Sequence, residues 1–134
     1  DQLSGISAVV GSGFADLLTG STGADTINAG SGNDTVDGGL GDDSLVGGGG
    51  VDTLGYASAT GSVTVNLATG LVSGAAGNDL ISGFTNLLGG AGDDSLVGSS
   101  AANTIDGGLG NDAIDGGDDV RAIGRIDRDR GDRQ

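Results

Sequence analysis

The chain contains no cysteine, proline, methionine, tryptophan or histidine. Lysine and glutamate are missing as well. Without His or Cys the usual zinc ligands are absent. Without His, Cys, Lys or Glu, and with one Tyr, most nucleophiles and proton-transfer groups are absent too. Paired Asp could in principle serve as acid and base, but a ladder of equivalent Asp looks like a set of ligands, so no active site is expected. The lack of cysteine suits an extracellular bacterial protein and a cytosolic one equally. No apolar run approaches ~18 residues, so no transmembrane segment is expected. No signal-peptide pattern opens the chain.

Positive charge is nearly absent. All nineteen acids are Asp, and the five bases are Arg at or after Arg121. Residues 1–120 hold sixteen Asp and no cationic side chain. Such a stretch cannot neutralise itself with ion pairs. Two carboxylates about 4 Å apart repel by ~4 kcal/mol at an effective dielectric near 20. Stacking many of them requires a cation from solution or leaves the chain open. The net charge of −14 also argues against nucleic acid and anionic membranes as partners.

What is present is glycine, aspartate and a period. GSGFADLLT from Gly11, GSTGADTIN from Gly20, AGSGNDTVD from Ala29, GGLGDDSLV from Gly38 and GGGGVDTLG from Gly47 follow one another without a gap. The unit recurs from Gly74, Gly89, Gly98 and Gly107. Its sixth position is Asp16, Asp25, Asp34, Asp43, Asp52, Asp79, Asp94, Asn103 and Asp112. Its eighth is always aliphatic, from Leu18 and Ile27 through to Ile105 and Ile114. Positions seven to nine suit a very short strand with its middle residue buried. The six glycine-rich residues before them reverse the chain. Two nonapeptides then make one coil, and each loop stacks on the loop two further on. Strand stacking at ~4.8 Å lets neighbouring loops share an ion.

The ligand chemistry favours Ca²⁺. Asp is a hard oxygen donor, and glycine-rich loops expose carbonyl oxygens. Ca²⁺ takes six to eight such oxygens in tolerant geometry, whereas Mg²⁺ demands a tight octahedron. Several ions are expected. The candidate ligands are the carboxylates of Asp16, Asp25, Asp34, Asp43, Asp52, Asp79, Asp94 and Asp112. To these add the fourth-position glycines Gly23, Gly32, Gly41, Gly50, Gly77, Gly92 and Gly110. Stacking two loops apart pairs Asp1 with Asp16, Asp16 with Asp34, Asp25 with Asp43 and Asp34 with Asp52. In the second run it pairs Asp79 with Asp94 and Asp94 with Asp112. Asn103 is a weaker, neutral donor. Asp37, Asp42, Asp93, Asp106 and Asp115 lie outside the sixth column and are expected in solvent. Tyr56, Phe14 and Phe84 are expected to pack.

A longer period overlies the short one. Shifted by 78 residues, Asp1–Gly39 lies on Asp79–Gly117 without a gap, and close to half of the positions are identical. Asp1 is then the sixth residue of a nonapeptide, as if the chain were a window on a longer array. The organisation expected is therefore repeats over 1–55, starting mid-repeat, metal-free β coils over 56–73 continuing the stack, and a second run of repeats over 74–117. An Arg/Asp-rich tail, cap or disordered end follows over 118–134. Within 56–73, Val63-Thr64-Val65-Asn66-Leu67 alternates like a strand, Ala68-Thr69-Gly70 suits a turn, and Leu71-Val72-Ser73 suits a second strand.

The units GSGNDTVDG, GGLGDDSLV and GGLGNDAID resemble the repeats-in-toxin (RTX) calcium-binding nonapeptide, and the resemblance covers most of residues 1–117. It implies an all-β fold, a right-handed parallel β-roll (a β-helix solenoid) with Ca²⁺ between stacked glycine-rich loops, held by sixth-position Asp and loop carbonyls. It also implies an extracellular or cell-surface location, type I secretion and folding on meeting external calcium. Phe14 and Ala101 in place of the fourth glycine, and Asn103 in place of Asp, depart from the pattern. The function expected is a calcium-binding structural or adhesive segment of a secreted or cell-surface bacterial protein, such as an adhesin or surface-layer protein. It would join the rest of a longer RTX chain, and self-assembly is open to it. The alternative is the calcium-dependent folding or secretion module of an RTX protease, lipase or cytolysin.

Overall fold

The computed structural model describes residues 7–117. Asp1 and residues 118–134 lie outside the described residues, and with them the expected Asp1–Asp16 pair and the expected tail. The described chain is all-β. Its strands are β1 (Ala8–Val10), β2 (Leu17–Thr19), β3 (Thr26–Asn28), β4 (Thr35–Asp37), β5 (Ser44–Val46), β6 (Thr53–Gly55) and β7 (Val63–Asn66). They continue with β8 (Leu71–Gly74), β9 (Leu80–Ser82), β10 (Asn86–Leu88), β11 (Ser95–Val97), β12 (Ile105–Asp106) and β13 (Ala113–Asp115). The first six alternate between two sheets. One sheet runs β1-β3-β5-β9-β8-β7-β11-β13 and the other β12-β10-β6-β4-β2.

The parallel registers fix the coil. Val9 lies beside Ile27 and Ile27 beside Leu45, while Leu18 lies beside Val36. Each step is 18 residues, two nonapeptides, as the repeat requires. Three-residue strands bury only their middle side chain. Leu18, Ile27, Val36, Leu45, Leu54, Ile81, Leu96, Ile105 and Ile114 thus form one column of core between the sheets. Burying each is worth roughly 1.5–3 kcal/mol. Tyr56 and Phe84 join that core, as expected. Phe14 does not. It is 79% exposed at a loop tip, because the fourth loop position points away from the sheets.

Residues 56–73 depart from the expectation. They do not continue the parallel stack but form a hairpin. β7 and β8 pair antiparallel, with Val65 opposite Val72. β8 meets β9 antiparallel at Leu71 and Leu80. β7 then returns to parallel pairing with β11, Val65 beside Leu96. The cause is the short connection. Asn66 accepts the Gly70 N–H through its carbonyl at 2.9 Å and the Ala68 N–H through its side chain at 2.9 Å. A turn this tight can only join antiparallel strands, since a parallel return needs a long crossover. The hairpin wedges two strands into one sheet, and β9 stacks directly on β5 beneath it.

The 78-residue repeat survives locally but changes sides. β1 lies in the eight-stranded sheet and its counterpart β10 in the five-stranded one, and β2 and β11 are exchanged likewise. An odd number of half-coils separates the members of each pair. Among the described residues no helix is long and apolar enough to cross a membrane.

Candidate metal centre

The glycine-rich loops line the two edges where the sheets meet. Along each edge the sixth-position residues form a ladder, held by one recurring bond. The N–H of Asp16 donates to Asp34 Oδ1 at 2.8 Å, and that of Asp34 to Asp52 Oδ1 at 2.8 Å. On the other edge Asp25 donates to Asp43 Oδ1 and Asp43 to Asp79 Oδ1, each at 2.9 Å. Asp94 donates to Asp112 Oδ1 at 2.9 Å, and Val63 takes the upstream place, donating to Asp94 Oδ1 at 2.9 Å. Four of the expected pairs are therefore adjacent: Asp16 with Asp34, Asp25 with Asp43, Asp34 with Asp52, and Asp94 with Asp112. The expected Asp79–Asp94 pair is not. Asp79 lies on Asp43, because the hairpin separates the Asp79 loop from the Asp94 loop.

Apart from half-buried Asp16, these carboxylates are inside the protein. Asp34 and Asp79 are 1% exposed and Asp52 is fully buried. No cationic side chain exists among the described residues to compensate them. Moreover, Oδ2 of Asp34, Asp43 and Asp52 and Oδ1 of Asp25 are buried without a hydrogen-bond partner. A buried, unpaired carboxylate oxygen is among the costliest groups a fold can hold. Among the described residues no group of three or more acidic, His or Cys side chains is placed to hold an ion alone. An ion must therefore also draw on main-chain oxygens. The fourth-position carbonyls fit that need. Among the described residues no hydrogen bond reaches those of Gly23, Gly32, Gly41, Gly50, Gly77, Gly92 or Gly110. Loops also approach closely there: a Cβ on Gly50 would strike the Gly32 carbonyl, and one on Gly41 the Gly23 carbonyl. Orphaned hard oxygens from carboxylates and carbonyls in one loop suit a Ca²⁺ ion.

The model of the RTX calcium-binding nonapeptide repeat matches in four copies, over residues 10–45, 19–54 and 88–120. These stretches span more than half of the 134 residues. The chain belongs to the RTX calcium-binding nonapeptide repeat family. No curated protein matches the chain. The matched stretches hold every sixth-position residue except Asp79, which lies in the loop that the hairpin displaces.

Burial makes three of these RTX loop carboxyls weaker acids. Burial raises Asp43 from 3.8 to about 7, with neighbouring Asp79, Asp25 and Asp42 adding to it and the Asp25 N–H opposing it. Burial likewise raises Asp52 and Asp79. A bound divalent cation would reverse that direction by favouring the ionised form.

Two loops are already closed by the protein. Buried Tyr56 donates its phenol O–H to Asp79 Oδ2 at 2.9 Å, so both Asp79 oxygens are occupied. Asn103 donates its amide to the Thr85 carbonyl at 2.7 Å and accepts the Ser99 N–H at 2.8 Å. Sequence reasoning missed the Tyr56 contact, since Tyr56 lies 23 residues from Asp79 and outside the repeat. Of the five Asp expected in solvent, Asp42, Asp93 and Asp115 are exposed and Asp37 and Asp106 half-buried, and each also accepts a loop N–H. Asp42 accepts the Asn78 N–H, and Asp93 the Asn111 N–H, each at 2.9 Å. Asp37, Asp106 and Asp115 each accept the N–H two residues on.

Asp34 occupies the middle of its ladder, so its loss reaches two neighbours. Asp34→Ala removes the acceptor of the Asp16 N–H and the carboxylate stacked on Asp52, while the backbone N–H at residue 34 can still donate to Asp52 Oδ1. Calorimetric calcium titration is expected to show a stoichiometry reduced by two ions. An unchanged stoichiometry would show that this stacking register does not build the sites.

Proposed function

We propose that this RTX segment is a calcium-dependent scaffold of a secreted or cell-surface bacterial protein, with a structural or adhesive role and no catalysis of its own. The observation that carries this reading is the row of buried Asp oxygens without partners, beside unbonded glycine carbonyls, in a region devoid of cationic side chains. An external hard cation compensates such a row while its carboxylates stay ionised. Calcium binding is then also the folding step, because the donors come from stacked loops 18 residues apart, as in Asp34 and Asp52. The sequence supports the scaffold role. It offers equivalent ligand loops and no His, Cys, Lys or Glu for chemistry.

Isothermal titration with CaCl₂ and, separately, MgCl₂ tests the ligand class. Binding of more than one Ca²⁺ per chain is expected, with Mg²⁺ at least tenfold weaker, since a mixed carboxylate and carbonyl cradle does not impose an octahedron. Equal affinity for the two ions, or no uptake of calcium, would overturn the reading.

A further inference from the structure

Nine loops, counting the one that begins at Gly116 and leaving aside the Gly74 loop, where Ala75 donates to the Ser62 carbonyl, differ at one backbone group, the N–H of the second position. In the loops beginning at Gly11, Gly20, Gly89 and Gly98 this N–H turns inward. Ser12 donates to Asp16 Oδ2 at 2.7 Å, Ser21 to Asp25 Oδ2 at 2.7 Å, Gly90 to Asp94 Oδ2 at 2.9 Å and Ser99 to Asn103 Oδ1 at 2.8 Å. The Ser21 hydroxyl adds a second bond to Asp25 Oδ2 at 2.9 Å. In other loops the same N–H turns outward, onto the residue that ends the preceding strand. Gly30 donates to Asn28 Oδ1 at 3.1 Å and Gly39 to Asp37 Oδ1 at 2.9 Å. Gly108 and Gly117 do the same with Asp106 and Asp115, each at 2.9 Å.

Two residues decide which way the group turns. The outward arrangement needs a left-handed backbone at the second position, with φ of +99° at Gly30 and +87° at Gly39. Serine resists that conformation, and glycine accepts it. An Asn or Asp two residues earlier then captures the N–H in an Asx turn. All four loop starts with such a residue point outward, and all three with Ser point inward. Glycine without an Asx partner goes either way: Gly48, after Val46, has φ +99°, whereas Gly90, after Leu88, bonds Asp94.

The carboxylates record the consequence. Where the N–H turns outward, Oδ2 of Asp34 and Asp43 is buried and unpartnered, and so is Oδ2 of Asp52, whose loop has the same positive φ at Gly48. Where it turns inward, that oxygen already holds a proton donor, which a cation would have to displace. Asp25 keeps an unpartnered oxygen, but it is Oδ1, the atom that elsewhere accepts a neighbouring coil's N–H.

We propose that the strand-ending residue and the second loop residue together gate calcium entry. Asn or Asp followed by Gly opens a half-site, and Ser closes it. This rests on the calcium reading above and deepens it by ranking the sites. A site shared by stacked loops is ready when both halves are open. Asp34 and Asp52 form a pair with both halves open. Asp16 and Asp25 sit in closed loops, opposite Asp34 and Asp43. Asp79, the other neighbour of Asp43, is closed by Tyr56. The tightest ion is therefore assigned to the Asp34 and Asp52 loops.

Calcium titration of the full chain, with circular dichroism confirming folding in calcium, tests the gate through two variants. Asn28→Thr with Gly30→Ser copies the closed Gly20 loop onto the Asp34 loop, and is expected to weaken the tightest step at least tenfold. Thr19→Asp with Ser21→Gly opens the Asp25 loop opposite the open Asp43 loop. It is expected to raise the number of tight ions from one to two. A wild-type isotherm from the opening variant overturns the gate, as does one from a folded closing variant. Should the closing variant fail to fold, the gain or absence of the second tight ion decides alone. If the unaltered protein takes up no calcium, the calcium reading falls and the gate with it. If the unaltered protein binds calcium in one class of equal sites, the gate falls and the calcium reading stands.

Discussion

In EDTA at neutral pH the far-ultraviolet circular dichroism is expected to lose its β signal, and millimolar CaCl₂ is expected to restore it. The buried row of Asp25, Asp34, Asp43, Asp52, Asp79, Asp94 and Asp112 dictates the first half. Each uncompensated buried charge costs several kcal/mol. A small domain is stable by only about 5–15 kcal/mol in total. Three-residue strands with one buried side chain each cannot offset several such charges. The second half follows from mass action. An ion that binds only the folded chain contributes about 2.7 kcal/mol per site at a hundred times its dissociation constant. Because each Asp ladder joins consecutive coils, the sites form and fail together, so the calcium dependence should be steep. MgCl₂ should restore far less signal. Superimposable spectra in calcium and EDTA would show that the fold carries its buried carboxylates unaided.

The architecture was largely legible in the sequence because the repeat separates its tasks by column. The eighth position supplied the core, and the register of Leu18 beside Val36 is the nonapeptide period doubled. Asp16, Asp34 and Asp52 fall on one edge for the same reason. The hairpin was half legible. Alternation in Val63–Leu67 and the Ala68-Thr69-Gly70 turn were visible, but the preceding repeats favoured a parallel stack. What decides the pairing is the length of the connection, and period alone does not weigh it. Asp79 was assigned the wrong neighbour as a direct result, since sequence adjacency placed it with Asp94 while the inserted strands placed it on Asp43. The loop gate was in plain sight as Asn28-x-Gly30, Asp37-x-Gly39, Asp106-x-Gly108 and Asp115-x-Gly117. It went unrecognised because the ninth position varies, and only the direction of the following N–H gives that variation a meaning.

Acid is expected to substitute for calcium. In the cation-free fold Asp43 titrates near 7 rather than 3.8, with burial as the main cause. Between those values the folded chain holds a proton that the unfolded chain releases. The stability linked to it is fully present below the unfolded value, and it is lost as the pH rises through about 7. A tenfold difference in proton affinity between the two states corresponds to about 1.4 kcal/mol. Asp52 and Asp79 are displaced in the same direction and add to the effect. Chelated protein moved from pH 7.5 to pH 4.5 should therefore gain β signal and melt at a higher temperature. In calcium the direction reverses, because protons compete with the ion for the same oxygens and its midpoint concentration should rise on acidification. Lower net charge alone would also favour compaction in acid, and Asp43→Asn separates the two causes. That variant is neutral at this position at every pH, so the chelated variant should already hold more β signal at pH 7.5 and respond less to acid. A general charge effect would leave its pH response close to that of the unaltered chain. A β signal that stays flat or falls on acidification in EDTA would show that these buried carboxylates do not limit the cation-free fold.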